Sequence, residues 1–271
     1  MFQSELPRVA TAPLSIVLPV HNVAGRLPKL LDDWNAYLGR LKRDYELILV
    51  DDGSTDETAT VGETSAAANP RLHVFRHATQ RGFGAALRTG IEAARHPLLF
   101  YCSADPTYRP ADLGRLLGRM NRVHLVSGYR AGRPVPPLLR VTGFIWRWLL
   151  WFLFGLVLTP LPGWLGGKTV AYQQLVHMLF GIRIGDIDSA FKLFRRSVFD
   201  RIPIQSDSAF VHAEILAKAN FAGCVMDEVA LDVPATWEPD PHRFADLRRV
   251  FRAPDFGPAV LPKPEPAESK A

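Results

Sequence analysis

"YELILVDDGSTDETA" (residues 45–59) is the stretch on which the fold turns. Tyr45 to Val50 is a short aliphatic run, the length of a buried strand, and it breaks abruptly at two adjacent carboxylates and a glycine. Ser54 or Thr55 can cap a following helix whose first turn holds Asp56 and Glu57. The stretch therefore predicts a strand, a tight turn and a helix. A carboxylate at such a strand end can accept hydrogen bonds from a base N–H or from ribose hydroxyls, so Asp51 and Asp52 are candidates for holding a nucleotide. The same turn would also form around a helix start with no ligand.

The same alternation extends on both sides. "LSIVLPV" (14–20) reads as a strand, and residues 25–41 place Leu27, Leu30, Leu31, Trp34, Tyr37, Leu38 and Leu41 at helical spacing. Further strands are expected at 71–75, 97–102 and 123–129, with helices at 83–95 and 110–120 between them; a last helix at 207–223 and a last strand at 224–233 follow. This pattern predicts an α/β fold, a mostly parallel sheet with helices on both faces. In such sheets ligands sit beyond the carboxyl ends of the strands. Those ends carry His21 and Asn22, Asp51 and Asp52, Asp105, and Arg130. "GFGAAL" (82–87) follows the third strand and lacks a third glycine, so a glycine turn with close helix packing is the better reading than a dinucleotide site.

The chain of 271 residues is 48% apolar, enough for a substantial core, and its two cysteines, Cys102 and Cys224, form no metal or disulfide framework. Met1–Pro13 is polar, so no secretory signal is expected. His21, His77 and His212 lack metal-ligand spacing, and no arrangement for covalent catalysis is present. The basic residues lack the interleaved aromatic motif of RNA-binding proteins, so no nucleic-acid partner is expected. Asp105 is the candidate ligand for Mg²⁺ or Mn²⁺, hard ions that take carboxylates together with substrate phosphates.

From Leu113 to Gly185 there is no Asp or Glu, while Arg115, Arg119, Arg122, Arg130, Arg133, Arg140, Arg147, Lys168 and Arg183 fall in that window. An anionic membrane surface or a phosphate-bearing ligand suits this bias, as does a solvated basic face. Residues 138–167 are the most apolar part of the chain. A helix from Leu138 to Leu158 would be about 31 Å long, but Arg140 and Arg147 interrupt it. The uncharged part, Trp148–Leu158, is shorter than the roughly 20 residues of a spanning helix. Trp146, Trp148, Trp151 and Trp164 suit a membrane–water interface. A monotopic or re-entrant contact is the expectation; a buried core helix, a protein–protein face and a true span remain alternatives.

Taken together, these segments resemble the inverting family 2 glycosyltransferases of GT-A fold, in particular the dolichyl- and other polyprenyl-phosphate sugar transferases, from about Ser15 to Val233. "LPVHN" is similar to the family's P-x-Y-N opening, with His21 in place of Tyr, and "ELILVDDGSTDET" matches its nucleotide-binding turn. "QRGFGAALRTG" resembles N-x-G-x-G-x-A-x-x-x-G with Gln80 for Asn. "SGYR" and "GDIDSAFKLFRR" resemble the family's strand-end arginine and post-acceptor segments. The family's metal motif, D-x-D-x-Q, is reduced here to Ser103, Ala104, Asp105, Pro106 and Thr107. Val23 stands where an acidic residue is frequent. The family's basic loop after the last strand has no clear match, and Arg243 and Arg248 are the basic residues available there.

The resemblance implies a GT-A (Rossmann-like) domain at 14–235, after an N-terminal extension at 1–13. Inserted apolar or amphipathic helices at 138–180 would touch membrane or acceptor, and a basic then Pro-rich tail at 236–271 would be largely disordered. It implies a transfer, with inversion, from a UDP- or GDP-linked sugar to a polyprenyl phosphate at the cytoplasmic face of a membrane, with the chain peripheral or monotopic. Pro19, His21, Asp51, Asp52, Ser103, Ala104 and Asp105 would line the donor site, Asp105 and Ser103 would hold Mg²⁺ or Mn²⁺, and Arg130 would hold diphosphate. Lys192, Arg195 and Arg196 would meet the acceptor phosphate, with Asp186 orienting one of them; Asp105 and Asp186 would be the catalytic acids. The loss of two metal-motif residues equally suits a degenerate binding module that holds nucleotide sugar, lipid or protein without turnover.

Overall fold

The computed structural model of the protein describes residues 9, 11–130, 184–232 and 243–255. Seven strands form one sheet: β1 (Leu14–Val20), β2 (Tyr45–Asp51), β3 (Leu72–Arg76), β4 (Leu98–Cys102), β5 (Leu125–Arg130), β6 (Phe191–Arg195) and β7 (Met226–Leu231). Their spatial order is β3-β2-β1-β4-β6-β5-β7. β6 runs antiparallel to β4 and β5, and every other pairing is parallel. The expected mostly parallel sheet is therefore present, with one reversed strand in its interior. Six helices are described: α1 (Leu27–Leu38), α2 (Thr58–Ala68), α3 (Phe83–Ala93), α4 (Leu113–Leu117), α5 (Val211–Phe221) and α6 (Arg243–Arg252).

The side-chain alternation of β1 sorts the core into two layers. Ile16, Leu18 and Val20 pack with Leu27, Leu31, Trp34 and Leu38 of α1. Val17 points to the other face, among Leu87 and Ile91 of α3 and Leu216 of α5. Each such fully buried side chain contributes about 1.5–3 kcal/mol relative to exposure. Helix α3 lies so close to β1 that a Cβ on Gly90 would sit 2.2 Å from Val17 Cγ1. At the start of α3 a Cβ on Gly84 would likewise sit 2.4 Å from the Ser206 carbonyl oxygen, so the glycine turn serves close packing, as its sequence suggests.

Pro19 has a specific place in this sheet. The amide of Asp52 donates to the carbonyl of Val20, so the even-numbered residues of β1 bond toward β2. Pro19 therefore faces β4, and that pairing ends at Val17↔Tyr101, two residues earlier. The missing N–H costs no ladder bond there.

Two expectations need correction. Neither Ser54 nor Thr55 caps α2: the carboxylate of Asp56 accepts from the Thr58 amide (3.0 Å) and hydroxyl (2.5 Å) instead. The tail is not without order throughout, because α6 forms within it and buries Val250 and Asp246. The apolar segment at 138–167, with its possible membrane contact, lies outside the described residues, as do 1–8 and 256–271. Among the described residues no helix is long and apolar enough to cross a membrane.

Candidate active site

The turns after β1 and β2 are clamped together at the carboxyl edge of the sheet. Asn22 takes a left-handed backbone (φ 51°), and its side-chain oxygen accepts the amides of Thr55 (2.9 Å) and Asp56 (3.4 Å). In return, Ser54 Oγ accepts the Asn22 amide, Thr58 Oγ1 the Val23 amide, and Asp56 Oδ2 the Ala24 amide. The hydroxyl of Thr58 first, then the amides of Ala24 and Thr58, donate to the Asp56 carboxylate and hold it below its usual range. His21 Nδ1 lies 2.9 Å from the Asp52 carbonyl. Since a carbonyl only accepts, Nδ1 carries the proton, and Nε2 takes the Asn22 amide hydrogen at 3.1 Å. The specificity of the "DGSTDET" motif is thus largely architectural: its hydroxyls and acids hold the neighbouring turn. Gly53 (φ 66°) completes it, because a Cβ there would lie 2.3 Å from the backbone of Thr79.

Asp51 and Asp52 look equivalent in sequence but do different things. Asp52 spends both oxygens on the loop before α3: Oδ1 accepts His77 Nδ1 (2.7 Å) and the Arg81 amide (2.9 Å), and Oδ2 the Gly82 amide (2.7 Å). His77 passes its other nitrogen to Thr89 (2.9 Å), in keeping with a structural histidine. Through these bonds Asp52 holds the loop before α3 in place. Asp51 is fully buried; Oδ1 accepts the Ser54 amide at 3.0 Å and the Ser54 hydroxyl. Its Oδ2 has no hydrogen-bond donor and sits 3.5 Å from Arg76 Nε. A buried carboxylate oxygen in that condition costs free energy unless something donates to it, and the N–H of a nucleobase is a suitable donor.

Asp105 lies at the same edge, in the loop leaving β4. Its Oδ1 accepts the amide (2.9 Å) and hydroxyl (2.7 Å) of Thr107, and the Ser103 amide continues the β4–β6 pairing onto the Ala190 carbonyl (3.1 Å). Ala104 is buried and Asp105 half-buried. Asp105 and Ser103 offer one carboxylate and one hydroxyl, hard oxygens of the kind Mg²⁺ and Mn²⁺ take. Among the described residues no cluster of three or more His, Cys, Asp or Glu could hold a metal by itself. The donor set fits a divalent ion only as part of a shell that a ligand's phosphates would complete.

Arg130, at the end of β5, is gripped by Asp186. Its Nε and backbone amide reach Asp186 Oδ2 (2.7 and 3.2 Å), and its Nη2 reaches Oδ1 (2.8 Å). Burial works against the arginine charge, but these bonds and the field of Asp186 outweigh it and keep the guanidinium more firmly protonated than usual. Asp186 therefore orients Arg130, where Lys192, Arg195 or Arg196 was expected. Lys192 is fully buried, and its ammonium donates to the carbonyls of Ile187 (3.0 Å) and Ser189, closing the 186–189 loop. Burial lowers it to about 7, against the opposing pull of Asp186 and Asp188.

The expected acceptor cluster is not brought together. β6 is antiparallel, so Phe191 pairs with Cys102 near the carboxyl edge while Arg195 pairs with Leu98 at the opposite end. Arg195 donates to the carbonyls of Val123 (3.1 Å) and Met120 (2.9 Å) there, and the Arg196 amide bonds Pro97. Neither can meet a phosphate at the edge that carries Asp51 and Asp105, and Lys192 is enclosed. Sequence reading also missed Arg81, an exposed cation whose amide is pinned by Asp52 and whose guanidinium has no acidic partner among the described residues. Its position directly before Gly82 was the available signal.

Comparison with known proteins bears on the family and the fold. Over 173 residues the chain is 32% identical to human dolichyl-phosphate beta-glucosyltransferase, covering 55% of this chain and 53% of that protein. It is 32% identical over 131 residues to the undecaprenyl-phosphate 4-deoxy-4-formamido-L-arabinose transferase of Photorhabdus laumondii, covering 48% of this chain and 40% of that protein. The chain thus spans about half the length, or less, of these curated relatives. Among solved structures, glucosyl-3-phosphoglycerate synthase from Mycobacterium tuberculosis, crystallised with Mn²⁺, UDP and phosphoglyceric acid, superposes with a TM-score of 0.59 at 20% identity, covering 89% of this chain and 76% of that one. That likeness establishes the fold. The sequence model of Glycosyl transferase family 2 matches residues 15–202, more than half of the chain, and the protein belongs to that family.

Proposed function

We propose that the protein is an inverting glycosyltransferase that moves a sugar from a UDP- or GDP-linked donor to a polyprenyl phosphate. It would work at the cytoplasmic face of a membrane, as a peripheral or monotopic protein. The observation that carries this reading is the buried, undonated Oδ2 of Asp51 at the same sheet edge as Asp105. The named relatives, which include polyprenyl- and dolichyl-phosphate sugar transferases, support the acceptor class.

Asp51 Oδ2 would accept the base N–H of the donor, held in place by the Ser54 bonds on Oδ1. A Mg²⁺ or Mn²⁺ ion held by Asp105 and Ser103 would supply neutralisation of the leaving diphosphate. Arg130 contributes direction more than net charge, because Asp186 balances it. Arg81 is an exposed cation with no acidic partner among the described residues. The acceptor phosphate, a monoester with a second pKa near ~6, is already a dianion at neutral pH. Its oxygen attacks the anomeric carbon, the bond from that carbon to the diphosphate oxygen breaks, and configuration inverts. No side-chain base is required. The site's work is positioning and electrostatics.

Thr107 occupies Asp105 Oδ1, and this favours a second reading in which the site binds a nucleotide sugar without turnover. Membranes containing the protein, incubated with radiolabelled UDP- and GDP-sugars and extracted for lipid, separate the two. A lipid-linked labelled sugar that depends on the protein supports transfer. Nucleotide binding with no such product, with or without Mn²⁺, supports the second reading and excludes the first.

A further inference from the structure

We infer that Asp246, on α6 and beyond the family match, is a positioning residue for the wall of the nucleotide pocket. The inference rests on the functional reading above for what that pocket holds. Asp246 is nearly buried, and its Oδ2 accepts the backbone amides of Ser208 (2.8 Å) and Asp207 (3.1 Å). Its Oδ1 pairs with Arg249 at 2.9 Å. The carboxylate thereby fixes two consecutive peptide groups that belong to no helix or strand.

The carbonyl of Asp207 in turn accepts the Gly84 (2.8 Å) and Ala85 (3.3 Å) amides, in the first turn of α3. Just before that turn, the amides of Gly82 and Arg81 hold Asp52. The contact has no slack. A Cβ on Gly82 would come within 2.3 Å of the Asp207 carbonyl oxygen, and one on Gly84 within 2.4 Å of the Ser206 carbonyl oxygen. The Asp207 side chain is also held from both sides, by Arg88 of α3 (2.5 Å) and Arg249 of α6 (3.6 Å). A displacement of residues 207–208 must either break the α3 start or carry Arg81, Gly82 and the Asp52 carboxylate with it. A continuous line of hydrogen bonds and backbone contacts therefore runs from Asp246 to Asp52, which neighbours Asp51.

A second consequence follows at the start of α3. The amides of Gly84 and Ala85 are occupied by the Asp207 carbonyl, so these two are not offered to a phosphate. The loop's influence on the donor falls on Arg81, whose backbone is pinned and whose guanidinium is exposed. Asp246 acts on that cation through the 207–208 loop and does not touch substrate.

The test uses the full chain as wild type, Asp246→Asn, Asp246→Glu, and Arg252→Ala as an exposed control on the same helix. Hydrogen exchange is followed across 81–87 and 205–210, and UDP and GDP binding is measured by calorimetry with Mn²⁺ present. For Asp246→Asn the expected result is faster exchange in both segments and nucleotide affinity about 3- to 30-fold weaker. Asp246→Glu should restore part of both, and Arg252→Ala should match wild type. Faster exchange confined to 205–210 and α6, with wild-type affinity, overturns the inference. Should Asp246→Asn fail to fold, Arg249→Ala, which loosens the same loop more mildly, must show the same two-segment pattern or the inference falls. If the wild type binds neither nucleotide, the functional reading fails, and exchange at 81–87 alone decides the relay from Asp246.

Discussion

Arg130 and Asp186 form a two-pronged ion pair in which both side chains are almost wholly removed from solvent, with Nε–Oδ2 at 2.7 Å and Nη2–Oδ1 at 2.8 Å. Removing one partner strands a buried charge. Asp186→Ala or Arg130→Ala should each lower unfolding stability by about 3–5 kcal/mol, while the double replacement Arg130→Met with Asp186→Leu should cost less than either alone. Urea denaturation of the four proteins checks this. Equal, additive losses would show that the pair is not coupled as the geometry requires.

The two acids at the end of β2 separate by the same kind of measurement. Asp52→Asn disturbs three bonds to His77, Arg81 and Gly82. Each bond to a charged group is worth about 1.5–3 kcal/mol, so a drop of at least that size is expected. Asp51→Asn can keep its oxygen on Ser54 and places its amide where Oδ2 had no donor. Its stability should stay within about 1 kcal/mol of wild type.

Lys192 gives a pH signature. Its folded value of about 7 lies below the ordinary 10.5 because burial disfavours the ammonium. Between those values the unfolded chain holds more protons than the folded one, so this residue makes stability rise with pH from about 7 toward 10.5. Below about pH 7 both states are charged and the penalty is constant. Burial raises Cys102 and Cys224 and works in the opposite sense above their ordinary 9.0, in wild type and variant alike. The difference between wild type and Lys192→Met therefore isolates the lysine: the gap in stability should change steadily across pH 7–10, and a constant gap would show that Lys192 does not titrate there.

Arg195 and Arg196 test the corrected layout. Both lie at the end of the sheet away from Asp51 and Asp105. Arg195→Ala should cost roughly 1–3 kcal/mol of stability, since the Val123 and Met120 carbonyls lose their donor. Neither Arg195→Ala nor Arg196→Ala should change the KM for the polyprenyl-phosphate acceptor by more than about twofold. A rise of tenfold or more would place an arginine in the site after all.

Much of this molecule is legible in its residues, for reasons that can be named. Helical and strand periodicity marked β1 to β5, and "DGSTDET" marked the carboxyl edge of the sheet because its hydroxyl and acid spacing is needed to bind the 21–24 turn. Direction was not legible. Nothing in "AFKLFRR" says that the strand runs backwards, and that reversal is what sends Arg195 and Arg196 to the far edge. Nor does "DD" say which acid holds the loop before α3; that role falls to Asp52 through His77, Arg81 and Gly82, 25 to 30 residues away. Helix α6 adjoins a Pro-rich tail whose composition masked it, although five of its ten residues are apolar, and the partner of Asp246 is 38 residues distant.

In the proposed function, Asp51 and Asp105 hold opposite ends of one nucleoside diphosphate. Calorimetry with UDP and GDP, with and without Mn²⁺, on wild type, Asp51→Asn and Asp105→Ala tests it most directly. The expected result is that wild type binds one of the two nucleotides more tightly with Mn²⁺, Asp51→Asn loses at least about tenfold in affinity whether or not Mn²⁺ is present, and Asp105→Ala loses only the gain from the ion. Wild-type affinity in both variants, or no binding of either nucleotide to the wild type, would contradict it.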